Sequence, residues 1–492
     1  MPVHTDRAGG VNYWPKELCV LSVALAVAMA SPVAAQTCPT PAVATAGGEC
    51  TIPTGTVVVV AANATGASAQ STGYIIADGI IENLGGANAV GAYAQSGGRI
   101  SFNASTVRTV STAAAARGQI GLRANGAGSA ITSSGAVITM TPTGTSTPAN
   151  LRGVSAEAGG QISLDNAQIQ VTGGSNALNN HAVVATGAGS VIELTSGSIS
   201  SSSRGAFGAA ALDGGLITLN GTTISTAGAP NTTTQDGSHA ILARGAGSRV
   251  TGQGAVVTTT GTLANLVRVD AGTVSLSDTL LSHVGAGNVL NPAAGVRVTS
   301  GGTFTLDGTS AITTSALYSP GLLIADAGSS ARIEDATITV GGARSIGVSV
   351  LAGATASLVD TQVLMRPSGA TGPWAPAVLA DGLAANVTLQ GGSVSTESAT
   401  AYGVRALAGS TIAVDGTTIS TLGVDAAALT AGSASITANN VTIVTRGNDN
   451  AMGALADMAG TVTLTGGSII TYGNQVRQSS FAHALGARNP GG

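Results

Sequence analysis

The sequence predicts an all-β protein, a right-handed parallel β-helix (β-solenoid) of about 13 turns with about 28 residues in each turn. Three observations lead to this prediction: a repeated unit, alternation of apolar residues within it, and a glycine turn that recurs at a nearly constant interval. The unit is clearest in Gly403–Thr421 (GVRALAGSTIAVDGTTIST). This stretch matches Gly208–Thr226 (GAAALDGGLITLNGTTIST) at 11 of 19 positions without a gap.

Apolar residues alternate within the unit. In the Gly403 copy they stand at Val404 and Ala406, at Ile412 and Val414, and again at Ile419. A period of two predicts strands with one buried face, and Gly, Asn or Asp separates one strand from the next. Three short strands cannot bury their apolar face alone, so the units must stack on one another.

The glycine turn sets the repeat length. From Gly98 to Gly460 it recurs over 13 intervals of 23 to 32 residues. A leucine-rich repeat has a similar length, but its leucine frame is missing, and a propeller blade needs longer repeats. Three strands per turn favour a parallel β-helix, and the chirality of parallel crossovers favours the right-handed form.

Composition agrees with a solenoid that has a narrow core. Of the 492 residues, 71 are glycine, 9% are charged and 2% are aromatic. Small inward residues suit such a core, and Ser and Thr suit the outer faces. The net charge of −4 argues against a nucleic-acid partner, because such binding needs clustered Lys and Arg.

Residues 1–35 read as a secretory signal peptide. The apolar segment Leu18–Ala30 is too short to span a membrane, and Pro32 ends it. Val33 and Ala35 satisfy the small-residue rule for cleavage between Ala35 and Gln36. We therefore expect an exported protein.

Two cysteines remain after cleavage, Cys38 and Cys50. Export makes a disulfide between them the expected state, and two cysteines alone are a poor metal site. They lie in residues 36–54, which we interpret as an N-terminal cap, because the end of a solenoid needs cover.

The solenoid is predicted over residues 55–475, and residues 476–492 read as a tail or linker. Three segments rich in Pro and Gly interrupt the repeat and are predicted to leave it as loops: 141–150, 228–239 and 366–376. The last contains Trp374, which either contacts a partner or folds back over the side of the solenoid.

No catalytic residue, metal ligand or cofactor is predicted. The sequence lacks the nucleophile elbow, in which Ser has Gly two residues before and after it. The histidines have no metal-ligand spacing and are interpreted as turn or surface residues: His181, His239, His283 and His483. Five aspartates follow the second strand of their repeats, where Asp caps a turn: Asp165, Asp307, Asp335, Asp360 and Asp415.

The order of a signal peptide and a solenoid rich in Gly, Ser, Thr and Ala resembles the pertactin-like passenger domains of Gram-negative autotransporters. The segments that carry the resemblance are 158–173, 213–228, 408–421 and 459–473. Such passengers reach the cell surface through a C-terminal outer-membrane barrel, and many act as adhesins or virulence factors. No run of barrel strands is recognised before Gly492, so we expect the translocator outside this sequence.

The resemblance implies a cell-surface or secreted interaction protein whose loops contact a host or neighbouring-cell receptor or matrix. If the translocator is truly absent, the periplasm is the expected location. Two alternatives remain open. A pectin-lyase-like enzyme would need three or more acidic residues converging on one face, such as Asp307, Asp335 and Asp360. A two-partner secreted exoprotein would share the fold, but its Asn-Pro-Asn motif is absent.

Overall fold

Each repeat folds as three short strands, and the equivalent strands of successive repeats pair in parallel. The computed structural model describes residues 36–83, 86–109, 117–141, 149–173, 178–366, 375–474 and 483–488. Within these ranges the strands form three parallel sheets, called sheets 1, 2 and 3 in the order in which each repeat visits them, and no helix is found. The predicted β-solenoid is thereby confirmed.

Sheet 1 has 17 strands. Its strands are Ala42–Ala44, Thr65–Gln70, Val90–Gln95, Ile120–Asn125, Arg152–Glu157, His181–Thr186, Ala209–Leu212, Ile241–Arg244, Val267–Asp270, Val296–Thr299, Leu322–Ile324, Val348–Leu351, Val378–Asp381, Val404–Leu407, Leu429–Gly432, Ala454–Asp457 and Leu485–Arg488.

Sheet 2 also has 17 strands. Its strands are Gln36–Thr37, Glu49–Ile52, Tyr74–Ala77, Arg99–Asn103, Ala130–Ser134, Gln161–Asp165, Val191–Thr195, Leu216–Asn220, Arg249–Gln253, Thr273–Ser277, Thr303–Asp307, Ser330–Glu334, Thr355–Val359, Asn386–Gln390, Thr411–Asp415, Ser435–Asn439 and Thr461–Thr465.

Sheet 3 has 16 strands. Its strands are Val57–Val60, Ile80–Asn83, Thr106–Thr109, Val137–Met140, Gln168–Val171, Ser198–Ser201, Thr223–Thr226, Val256–Thr259, Leu280–His283, Ala311–Thr314, Thr337–Val340, Gln362–Met365, Ser393–Thr396, Thr418–Thr421, Thr442–Thr445 and Ser468–Thr471.

The solenoid is longer than the glycine count predicts. Each of the 16 strands of sheet 3 follows one strand of sheet 1 and one of sheet 2, so the described residues contain 16 complete triplets and not 13. The 13 intervals are bounded by 14 glycines, which mark 14 of the triplets, and Gly48 and Gly73 mark the other two at the N-terminal end. Both glycine N–H groups donate to a carbonyl three residues earlier, as Gly98 does. About 15 steps of roughly 4.8 Å give a rod on the order of 70 Å long.

Inward-facing residues form one continuous apolar core from Ala42 to Ala454. In one turn, Ile162 and Leu164 of sheet 2 and Ile169 of sheet 3 point inward and are almost fully buried. Their neighbours in the same strands point outward, as the period of two requires. The core is narrow, so Phe102 and Phe304 are the only Phe residues in the described part of this cluster.

The corner between sheets 1 and 2 takes only small residues, which are Gly, Ser or Ala. A Cβ atom on Gly98 would lie 2.0 Å from the carbonyl oxygen of Ala69, so that position admits no side chain. In the next turn Ser129 takes the equivalent position. Its hydroxyl accepts from the N–H of Gly97 at 3.1 Å and donates to the Asn125 carbonyl at 2.8 Å. Backbone groups at these tight corners are thereby satisfied.

Both ends of the described chain take part in the sheets. Cys38 and Cys50 are joined by a disulfide, and Gln36–Thr37 pairs in parallel with Cys50 and Thr51. At the other end Leu485–Arg488, within the segment predicted as a tail, pairs in parallel with Ala454–Asp457.

Candidate binding cleft at the 228–239 loop

The long connections lie at one corner of the solenoid, between sheet 3 and the next strand of sheet 1. From sheet 2 to sheet 3 the chain needs only two residues, as between Asp165 and Gln168. Between Thr226 and Ile241 it makes the connection that contains the predicted loop 228–239. Of the three predicted interruptions, this is the one that is described throughout.

Asn231 organises the loop from inside. Its side-chain oxygen accepts from the N–H groups of Thr233 and Thr234 at 2.9 and 3.3 Å, and its backbone carbonyl accepts from the N–H of Gln235 at 2.9 Å. The side-chain amide donates to Asn179 Oδ1, two turns earlier, at 3.2 Å. These bonds give a long connection a defined conformation.

A stack of flat side chains lies at the foot of the loop. Successive turns place His181, Phe207 and His239 above one another, with ring centroids 4.5 and 5.7 Å apart and planes within 3° and 7° of parallel. His239 is 1% exposed. Burial is the main cause that lowers the pKa of His181 to about 3 and also lowers the pKa of His239, so both rings are neutral.

The ring of His239 has a partner on each nitrogen. Its Nδ1 accepts from the backbone N–H of Asn265 at 2.8 Å, and its Nε2 lies 3.0 Å from Asp236 Oδ1. Because Nδ1 is an acceptor, the proton of the neutral ring lies on Nε2 and is donated to Asp236. The loop carboxylate is thus fastened to the ring stack.

Asp236 also closes a network of ion pairs. Its Oδ1 contacts Arg268 Nη1, and its Oδ2 lies 3.6 Å from Arg244. Asp270 Oδ2 lies 2.9 Å from Arg268 Nε and 3.2 Å from Arg244 Nε, and Asp270 Oδ1 accepts from Thr299 at 2.6 Å. Burial alone would raise the pKa of Asp236, but His239 and the arginines hold it well below its usual range.

A cleft of about 220 Å³ opens between this network and the following turns. It lies beside Asp236, His239 and Arg268, and Arg297 stands on its far side. Its lining is mostly polar and consists of Thr234, Gln235, Asp236, His239, Leu263, Asn265, Arg268, Asn291, Pro292 and Arg297. Charged groups of both signs and amide groups can bind a polar ligand there.

The interpretation of the histidines as turn or surface residues is wrong for three of the four, since His181 opens a strand of sheet 1 and stacks on Phe207. His239 belongs to the stack, and His283 points into the core, with Nε2 3.0 Å from the Ala264 carbonyl and Nδ1 3.0 Å from Ser319 Oγ. Burial lowers the pKa of His283 to about 4. Short-range sequence spacing does not reveal these sites, because most of their partners, Asn265, Ala264 and Ser319, come from another part of the solenoid.

The five aspartates fall at two different positions of the repeat. Asp165, Asp307 and Asp415 end strands of sheet 2, whereas Asp335 and Asp360 occupy the following turn with φ of 51° and 46°. Asp tolerates that left-handed conformation, which is a structural reason for its presence. The triplet Asp307, Asp335 and Asp360, which the enzyme alternative needs, therefore does not form one column.

Other predicted positions carry no site chemistry in the described chain. Ala35 and Trp374 lie outside the described residues, and Gln36 opens the first strand. Across the described ranges, no group of three or more His, Cys, Asp or Glu residues is placed to hold a metal ion. Helices of a length and apolarity sufficient to cross a membrane are likewise not found there.

One sequence signal could have revealed the cleft. Arg244, Arg268 and Arg297 follow one another at 24 and 29 residues, which is close to the repeat length. The parallel register places Arg268 directly beside Arg297. Arg244 lies two residues beyond Leu242, the register partner of Arg268, so the spacing of about one repeat groups the three arginines on one face of sheet 1.

These features define a parallel β-solenoid with an ion-paired cleft at its loop-bearing corner. No family model and no curated protein matches the chain. Two solved structures of autotransporter proteins are similar to it. The cryo-EM structure of the Vag8–C1 inhibitor complex is 17% identical, with a TM-score of 0.47, over 88% of this chain and 99% of that chain. The TibC-catalysed, hyper-glycosylated TibA fragment is 14% identical, with a TM-score of 0.22, over 88% and 98% of the respective chains. The solenoid assignment rests on this chain's own strand register.

Proposed function

We propose that the chain is an exported passenger-type β-solenoid, at the cell surface or secreted, and acts as an adhesin or virulence-associated interaction protein. The observation that carries the proposal is the difference in length between the three corners of each turn. Two corners are short and tight, whereas the third bears the long loops and the cleft. A rigid rod that presents its variable loops along one edge suits binding to a host or neighbouring-cell surface.

Export is supported by two features of the N-terminal region. The first 35 residues have the pattern of a signal peptide. The disulfide between Cys38 and Cys50 suits an oxidising compartment. We propose that the mature chain begins at Gln36.

The proposal is tested by the adhesion of host cells to the immobilised mature chain, residues 36–492. One variant replaces residues 232–235 of the described loop with Gly and Ser, and a second deletes Arg366–Pro376, the segment that contains Trp374. A matched control replaces the two-residue corner Asn166–Ala167 with Asn-Gly, at a tight corner of another turn. We expect both loop variants to lower adhesion at least severalfold, with the β-type circular dichroism unchanged.

Unchanged adhesion in both loop variants would reject binding through these loops. Adhesion lost equally in the corner control would show that the loss reflects folding. Turnover of an acidic polysaccharide by the wild-type chain would favour the pectin-lyase-like enzyme instead.

A further inference from the structure

Arg297 stands out among the charged groups of the cleft. It lies in the strand Val296–Thr299, beside Arg268 of the previous turn and Leu323 of the next. Its Nε is buried and has no hydrogen-bond partner, and among the described residues its guanidinium forms no ion pair within 4.0 Å. Arg297 is only partly exposed, and no carboxylate pairs with its charge directly, so the site favours an incoming anion.

The net charge of the cluster also favours an anion. Three guanidinium groups, those of Arg244, Arg268 and Arg297, stand against two carboxylates, those of Asp236 and Asp270, and His239 is neutral. The sum is one positive charge. Both carboxylates are engaged by Arg244 and Arg268. Asp270, Asp236 and Asp326 act on Arg297 only from a longer distance, and Asp326 Oδ2 accepts from the N–H of Ser300 at 3.1 Å.

The cleft has room for more than a bare ion. Its volume of about 220 Å³ corresponds to about seven water molecules. The amide groups of Asn265 and Asn291 and the side chain of Gln235 line it together with Arg297. A guanidinium with neighbouring amides suits a carboxylate, which accepts several hydrogen bonds at once.

An aliphatic tip adjoins the cleft. Val289 and Leu290 are 70% and 87% exposed and directly precede Asn291, which lines the cleft. The tip is held by Asn288, whose side-chain oxygen accepts from the N–H groups of Leu290 and Asn291 at 3.0 and 2.7 Å. Two adjacent aliphatic side chains that are exposed to water on an ordered turn suit the apolar part of a protein interface.

We infer that this corner binds a protein partner which inserts an Asp or Glu carboxylate into the cleft against Arg297 and places a neighbouring aliphatic side chain on Val289 and Leu290. The inference deepens the proposed function, on which it rests, by giving the chemistry of the partner. An acidic sugar would satisfy Arg297 as well, but its hydroxyl-rich surface would leave the aliphatic tip without a matching group.

The probes are two fluorescein-labelled peptides, Gly-Leu-Glu-Leu-Gly-Gly and its counterpart with Gln in place of Glu. Binding to the mature chain is followed by fluorescence anisotropy. We expect the Glu peptide to bind at least tenfold more tightly than the Gln peptide. Arg297→Gln should remove that difference, and Leu290→Ser should weaken both peptides severalfold. The matched controls, Arg332→Gln and Leu383→Ser, change residues of the same kinds that are well exposed elsewhere on the solenoid.

The inference is overturned if neither peptide binds, if the two bind equally, or if Arg297→Gln leaves the difference in place. Binding of free glucuronate in isothermal titration calorimetry, with no binding of either peptide, would assign the cleft to an acidic glycan and also overturn the inference. Cell adhesion of Arg297→Gln separates the two proposals. Adhesion that depends on the loops but not on Arg297 would keep the proposed function and reject the carboxylate partner.

Discussion

His239 Nε2 lies 3.0 Å from Asp236 Oδ1, and this contact fastens an irregular loop to a regular solenoid. The two residues are three apart in the chain, yet each belongs to a different structural group. His239 is part of the ring stack on sheet 1, whereas Asp236 joins Arg244 and Arg268. The conformation of the loop thus depends on contacts from three successive turns.

The first prediction concerns Asp236→Asn. Asparagine keeps the shape of the side chain but removes the negative charge that pairs with Arg268 and Arg244. The repulsion between these two guanidinium groups is then offset less. We expect the free energy of unfolding to fall by about 2 kcal/mol, below the usual cost of breaking a fully buried pair, because the network is partly exposed. Chemical denaturation of the mature chain measures it.

Asp335→Asn is the matched control for this change. Asp335 is exposed in a turn with φ of 51°, a conformation that Asn tolerates equally well. We expect a change within about 0.5 kcal/mol there. Equal effects of the two substitutions would mean that the ion-pair network does not stabilise the loop.

The second prediction concerns pH and His283. Burial lowers its pKa from 6.5 to about 4, so between these values the unfolded chain binds a proton that the folded chain does not. The folded state therefore has its full stability above about pH 6.5, and its free energy of unfolding decreases as the pH falls towards 4. At pH 4 the loss from this residue approaches about 3 kcal/mol.

His283→Thr isolates that contribution. Thr259 and Thr314 are its register neighbours in the turns before and after, so Thr suits the backbone position. We expect the variant to be less stable at pH 8, because the smaller side chain leaves a cavity, but its stability should fall less steeply between pH 6.5 and 4. Identical pH slopes for wild type and variant would contradict a buried, neutral His283.

Regular parts of this fold are readable from local sequence, because alternation and corner residues are set within one repeat. Ile162, Leu164 and Ile169 are buried as their spacing predicts. Counting glycine turns from Gly98 misses the first two turns, because Gly48 and Gly73 precede the repeats that resemble one another most. Their strands have the same register with a sequence that resembles the repeat less.

The candidate site was harder to predict, since it is assembled across turns. Arg268 and Arg297 are neighbours only because 29 residues bring the chain back to the same point of sheet 1. The predicted position of the loop 228–239 was informative, but which side chain it would place against His239 depends on the three-dimensional path of the loop. Motif searches with short spacing therefore find neither the ring stack nor the cleft.

The third prediction concerns Cys38 and Cys50. Thiol labelling of the exported, denatured and unreduced protein should find no free thiol, and two labelled thiols would contradict the disulfide. Replacing both by Ser should lower the free energy of unfolding of the first turn by about 3 kcal/mol, because the unfolded chain gains conformational entropy when the disulfide is absent. Because each turn contacts only its neighbours, hydrogen exchange should rise in Glu49–Ile52 and stay unchanged in Thr411–Asp415.

The fourth prediction concerns Gly121, where the solenoid leaves no room for a side chain. A Cβ atom there would lie 2.5 Å from the carbonyl oxygen of Gly153 in the next turn and 2.9 Å from Ile138 Cγ2. Its φ is not in the left-handed region, so Gly is needed for space and not for conformation. Gly121→Ala must push two turns apart, and we expect a loss of about 1–3 kcal/mol in the free energy of unfolding.

Gly341→Ala is the control that separates space from conformation. Its φ is also outside the left-handed region, but an added Cβ would meet its nearest atom, the Thr314 carbonyl oxygen, at 3.8 Å, which is ordinary contact. Alanine there lowers only the freedom of the unfolded chain, so stability should be unchanged or rise by about 0.5 kcal/mol. If both variants lost the same stability, close approach between turns would not be the reason for Gly121. If only Gly121→Ala lost stability, the close approach of Gly121 to Gly153 sets how closely these two turns stack.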